Sequence, residues 1–145
     1  MRVRFVNVFV VILLALIVGC REQQRGGPRL ETYATNGVVK IDGEPGEMVE
    51  VQCHPGPDAT GIKYTLSTMT DKEGKFSLTT YESGDGLPEG TYTLTFQWLE
   101  PGFVPKDKLK GAYTDPKKST HTIKVVKGQP TDAGVIELSS KGPAK

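Results

Sequence analysis

The sequence predicts an all-β fold, a sandwich of two packed sheets, on three observations. Residues 92–98 (YTLTFQW) alternate large apolar and small polar side chains without a break, the period of a strand buried on one face. About seven such short runs follow one another, with no convincing amphipathic helix between them. The 17 Gly and 10 Pro fall between the apolar runs, where a many-turned β protein needs them.

Taken in order, residues 37–41 (GVVKI) form the first strand and 42–46 (DGEPG) turn it. Residues 47–53 (EMVEVQC) follow, with Val49, Val51 and Cys53 in one phase, so Cys53 is expected in the core as a small inert hydrophobe. Two prolines and two glycines exclude regular structure from 54–61. Residues 62–68 alternate Ile62, Tyr64 and Leu66 and read as a third strand. Residues 75–81, 92–98, 121–126 (HTIKVV) and 135–139 (VIELS) supply the remaining four. The Asp71 side chain is suited to bonding backbone two residues on, and Gly74 to the positive φ that closes the turn. Tyr92, Leu94, Phe96 and Trp98 make the largest apolar row, which predicts a central strand. The tail, 140–145, is expected to fray.

The totals bound the function. A chain of 145 residues fits one domain, and 37% apolar with 24% charged residues is too mixed for a disordered one. A formal net charge of +1 lacks the basic excess of a nucleic-acid binder. With two His and two Cys, none closely spaced, no metal site is expected, and no cofactor. Asp71, Glu73, Asp85 and Glu89 lie in turns but lack the ligand spacing of a calcium loop. His54 and His121 could each serve as a base, yet no Gly-x-Ser-x-Gly, phosphate loop or HExxH accompanies them. No catalytic residue is assigned.

The N-terminus carries an address. Arg2 and Arg4 precede an apolar run from Val8 to Val18, then Gly19 and Cys20, the tripartite pattern of an export signal. That run is shorter than the roughly 20 residues of a spanning helix. Ile17-Val18-Gly19-Cys20 resembles a bacterial lipobox. The resemblance implies that 1–19 is a lipoprotein signal peptide, a helix before cleavage, and that Cys20 becomes the diacylated first residue. Losing Arg2 and Arg4 takes Lys+Arg from 18 to 16 against 17 acids, a formal −1. Arg21, where an Asp would resemble the inner-membrane retention signal, implies outer-membrane sorting in a two-membrane cell, with the domain periplasmic or surface-facing. Residues 20–33 then form the lipidated Cys and a flexible tether of roughly 20 Å root-mean-square span.

Three further stretches carry a family resemblance. Gly37-Val38-Val39 with Asp42-Gly43-Glu44-Pro45, Thr70-Asp71-Lys72-Glu73-Gly74-Lys75-Phe76, and Leu87-Pro88-Glu89-Gly90-Thr91-Tyr92 are similar, in order, to motifs of a carboxypeptidase regulatory-like domain. The resemblance covers 34–139. It implies a transthyretin-like (prealbumin-like) seven-strand antiparallel β-sandwich, non-catalytic, with a structural or interaction role. Small bacterial lipoproteins with one such domain are what the whole chain resembles.

The segment from Leu99 to Thr120 is the candidate interaction loop, because irregular stretches beyond about 12–15 residues are uncommon and often functional. It carries Lys106, Lys108, Lys110, Lys117 and Lys118 with Phe103 and Tyr113 among them, and a short helical turn is expected near 106–110. One reading is a contact surface for acidic glycans, anionic headgroups or a protein. The other is a solvated excursion whose Phe103, Leu109 and Tyr113 pack back on the sheet. The expectations are thus a membrane-tethered, non-enzymatic module first, then a carbohydrate- or peptide-binding module using this loop or a sheet edge, then a hydrolase. Partners are the membrane, through the anchor, and an unidentified glycan or protein, with no nucleic acid.

Overall fold

The computed structural model describes residues 29–143. The signal segment, Cys20 and most of the tether lie outside the described residues.

Among the described residues ten strands run in the order β1 (Thr35–Ile41), β2 (Glu44–Pro45), β3 (Glu50–Pro55), β4 (Leu66–Met69), β5 (Lys75–Ser77), β6 (Gly90–Gln97), β7 (Leu99–Glu100), β8 (Lys106–Asp107), β9 (Thr122–Val125) and β10 (Thr131–Leu138). One sheet joins β10, β1 and β2, with β5 also on β1; the other has the order β4-β3-β6-β9. The seven expected strands are β1, β3, β4, β5, β6, β9 and β10. The three additional ones are two residues long, β2 folding back on β1 and β7 pairing with β8 in the candidate loop. Pairing is antiparallel except that β1 and β10 run parallel, Val39 opposite Ile136 and Ile41 opposite Leu138. The 126–130 turn carries the chain from β9 in one sheet to β10 in the other, which sets that direction.

The sandwich reading holds in its physics. Val39, Ile41, Phe76, Ile136 and Leu138 of one sheet meet Val51, Cys53, Leu94, Phe96 and Val125 of the other in a single buried cluster. Strand β6 is interior to its sheet, flanked by β3 and β9, as its apolar row predicts. Tyr92, Leu94 and Phe96 are almost wholly buried, and the Tyr92 hydroxyl donates to the Pro88 carbonyl at 2.9 Å. Burial pushes the Cys53 thiol up to about 12, so it stays protonated, as expected of a core residue.

Several expectations need correction. Strand β3 runs on through His54 and Pro55, opposite Thr93 and Tyr92, so the irregular stretch begins only at Gly56; Pro55 is tolerated as the last residue of the strand. Residues 62–65 are not strand: Ile62 and Leu66 are buried, but Tyr64 is exposed, because the turn-rich segment before it delays pairing until Leu66. Residues 78–81 leave the sheet after Ser77; Leu78 stays buried while Asp85 accepts bonds from the backbone N–H groups of Thr80, Tyr81 and Glu82. The tether gives way to the fold before residue 34: Leu30 packs on the core and Tyr33 bridges to Leu87. Ser140, expected to fray, donates its N–H to Asp42 Oδ1 at 3.1 Å.

Candidate functional site

The candidate loop is built around one carboxylate. Asp107 Oδ1 accepts the backbone N–H of Trp98 at 3.0 Å and of Leu109 at 2.9 Å, and Oδ2 accepts that of Gly111 at 2.8 Å. Charge-assisted bonds to three amides on both sides of the loop tie it to the end of β6. Leu109 is thereby seated in the core with no exposed surface. The Tyr113 hydroxyl accepts the Ser139 N–H at 2.9 Å, and the Tyr113 carbonyl accepts the Phe96 N–H at 3.0 Å. The helical turn expected at 106–110 is instead strand β8 followed by hydrogen-bonded turns. Lys110 takes a positive φ of 56° just before Gly111 at 72°, which no helix allows.

The sequence-predicted loop residues therefore divide. Leu109 and Tyr113 pack back on the sheet; Phe103 does not. Phe103 and Val104 form the tip of the β7–β8 hairpin at 106% and 81% exposure, bracketed by Pro101, Gly102 and Pro105. Lys108 lies over the Trp98 ring, its Nζ 4.2 Å from the centroid. Lys118 pairs with Asp115 at 3.6 Å, while Lys106, Lys110 and Lys117 extend into solvent.

Beside the hairpin an open groove of about 530 Å³ is lined by the apolar Met48, Met69, Trp98 and Pro101 together with Glu47, Glu50, Glu100 and Lys108. Two locks shape it. The buried Thr70 hydroxyl accepts the Val49 N–H at 2.8 Å and donates to the Gly46 carbonyl, fixing the 46–49 turn. The Trp98 indole N–H donates to the Glu47 carbonyl at 3.0 Å, joining that turn to the loop. Between these locks Met48 is held at φ 58°, a left-handed conformation costly for a long side chain, and its side chain is over half exposed.

Met48, Met69, Val104 and the three glutamates escaped the reading of the sequence as site residues. One signal was present: Met48 is out of phase with Val49, Val51 and Cys53, although its place in the 46–49 turn, rather than strand alternation, leaves it exposed. Nothing local shows that Met69 and Trp98 meet there, since register across β4, β3 and β6 decides it.

The histidines are placed apart from this groove. His54 Nε2 is 2.8 Å from the Thr95 hydroxyl and Nδ1 is 3.1 Å from that of Thr65. Thr95 is 1% exposed, out of reach of a substrate. His121 meets the Phe96 ring edge to face at 5.3 Å. Burial lowers the pKa of both imidazoles and favours their neutral forms. Asp71 Oδ1 accepts the N–H groups of Glu73 and Lys75, so this acid, like Asp85, is used in closing its own turn. Among the described residues no group of three or more His, Cys, Asp or Glu could hold a metal ion.

No family model matches the chain, and no curated protein does. Two solved structures share a distant likeness. A 9R-lipoxygenase from Cyanothece PCC8801 aligns over 88% of this chain and 20% of its own, at 11% identity and a TM-score of 0.41. The dioxygenase domain of a dioxygenase carbohydrate-binding protein fusion from Streptomyces sp. SirexAA-E aligns over 83% of this chain and 94% of its own, at 16% identity and 0.36. The chain spans about a fifth of the lipoxygenase, and at these scores neither likeness bears on function.

Proposed function

We propose that this chain is a membrane-anchored lipoprotein whose non-catalytic β-sandwich serves as an interaction module in the cell envelope. The observation that carries the interaction reading is a groove lined by the solvent-accessible Met48, Met69 and Trp98 and by Pro101, Gly102 and Pro105 of the hairpin whose exposed tip is Phe103–Val104. Long apolar side chains scattered singly are ordinary; a contiguous set beside an opening marks a contact surface. The anchor reading rests on the Ile17-Val18-Gly19-Cys20 run and its apolar approach. Leu30 and Tyr33 join the fold near Gly61 and Leu87, at the end where β6 begins, whereas the groove lies where β6 ends. An eight-residue strand separates the two ends by roughly 25 Å. A domain held through Cys20 thus carries its groove at the end opposite the one where the tether joins the fold.

Two measurements test this. Radiolabelled palmitate should enter the wild-type protein and not Cys20→Ser. A photo-crosslinker at Phe103 should capture neighbours in intact cells, while one at Lys127, at the opposite end, should not. Absence of label removes the anchor, and equal capture from both ends removes the interaction surface. Carbohydrate binding is the second reading, favoured by the half-buried Trp98 at the groove with polar groups around it. Lys108 already covers one face of that ring, which leaves less of it for a sugar. Glycan-array binding lost on trimming the 99–120 loop would reverse that order.

A further inference from the structure

The groove opens onto a free sheet edge. Strand β4 pairs with β3 and is the outermost strand of its sheet among the described residues. The Thr70 N–H donates to the Val49 carbonyl, and the register runs Val51 opposite Thr68 and Cys53 opposite Leu66. In an antiparallel ladder the bonded pairs alternate, so Thr68 and Leu66 face β3 while the peptide groups of Ser67 and Met69 point outward. A second opening, about 360 Å³, runs along this edge between Thr68, Met69 and the β5 residues Lys75 and Ser77. Exposed edges of this kind are templates for an added strand.

Resting on the interaction reading above, we infer that the site takes an extended peptide segment of another protein, added as a strand to β4, with a bulky apolar residue in the groove and Lys or Arg beside it. Main-chain bonds to Ser67 and Met69 would supply affinity, and the groove would select the side chain. The choice of basic flanks follows from charge. Glu47, Glu50 and Glu100 line the groove against the ammonium of Lys108, which is already engaged with the Trp98 ring, and in the opening along β4 Lys75 is accompanied by Asp71, so acids outnumber bases along the site. The adaptable thioethers of Met48 and Met69 suit a surface that moulds to an incoming residue. The same acids disfavour an anionic lipid surface at the groove, although the Phe103–Val104 tip is apolar enough to meet one.

Trp98 is the only tryptophan in the chain, so its fluorescence reports the groove directly. The lipidated protein in phosphatidylcholine vesicles is titrated with an acetylated Lys-Val-Leu-Val-Lys amide and with its Glu-Val-Leu-Val-Glu counterpart. A saturable change with the basic peptide and little with the acidic one is expected. Ser67→Pro removes only an outward N–H, so it should weaken binding about tenfold or more while the melting temperature stays near wild type. Glu47→Lys with Glu100→Lys should invert the preference between the peptides. Equal binding to Ser67→Pro, equal response to both peptides, or no response to either overturns the proposal. So does a response confined to phosphatidylglycerol vesicles, which would make the tip a lipid contact. Loss of peptide binding alongside persistent crosslinking from Phe103 in cells would sink this peptide chemistry and leave the interaction module standing.

Discussion

Phe96 has 1% of its surface exposed, backs onto Val51 across the β3–β6 ladder and receives His121 on its ring. Phe96→Ala should cost about 3–5 kcal/mol in a urea melt, because the emptied volume lies between two sheets that cannot both close on it. A loss well under 1 kcal/mol would place the core elsewhere. Gly74 is a sharper case of the same dependence on place. Its φ is +74°, and a Cβ there would lie 2.3 Å from the Val39 carbonyl oxygen. Gly74→Ala should therefore exceed the about 1–2 kcal/mol of a left-handed Ala alone, since β1 must also shift. The same substitution at Gly43, which has open space around it, serves as the control for backbone strain without a clash. Both the apolar row and the turn glycine were legible from spacing; the contact between Gly74 and Val39 was not, because 35 residues separate them in the chain.

At the scale of the element, the β7–β8 hairpin with its following turns depends on Asp107. Asp107→Ala strands three backbone N–H groups and should destabilise the domain by about 1–3 kcal/mol, with limited proteolysis opening the 99–120 segment first. Asp107→Asn, which keeps one acceptor oxygen, should recover part of the loss. Unchanged proteolysis in Asp107→Ala would mean that Leu109 alone holds the loop. The length of this irregular, lysine-bearing stretch singles it out in the sequence, yet its architecture comes from an acid, and its exposed tip comes from Phe103 and Val104 between two prolines. An Asp within a Lys-rich run has no distinguishing local signal: the amides it collects belong to Trp98, Leu109 and Gly111, brought together only when the hairpin closes. Likewise the alternation of Ile62, Tyr64 and Leu66 is a true strand period, but no neighbour lies beside Tyr64 to receive it.

Over the whole molecule, the two histidines tie stability to pH. Burial depresses both imidazoles below their ordinary 6.5, so the folded state binds fewer protons than the unfolded one in that region. Stability is then full above about pH 6.5 and falls as pH drops below it through the folded-state values. The melting temperature should decline between pH 7 and pH 5, and less so in His54→Gln with His121→Gln. A flat profile would mean that both rings reach water when charged. The groove lies away from His54 and His121, so occupancy of the peptide site should leave this pH dependence in place.

Periodicity by itself determined that the chain pleats, which residues face inward on β1, β3 and β6, and where most turns fall, because these depend on side-chain alternation and backbone sterics within a few residues. The lipobox resemblance at Cys20, on which the proposed anchor rests, is likewise read from neighbouring residues alone. The parallel union of β1 with β10, the free edge of β4, and the meeting of Met48, Met69 and Trp98 in one groove were decided only by the tertiary structure. Each is a contact between residues far apart in sequence, set by how two twisted sheets stack and register, and no local pattern encodes that pairing.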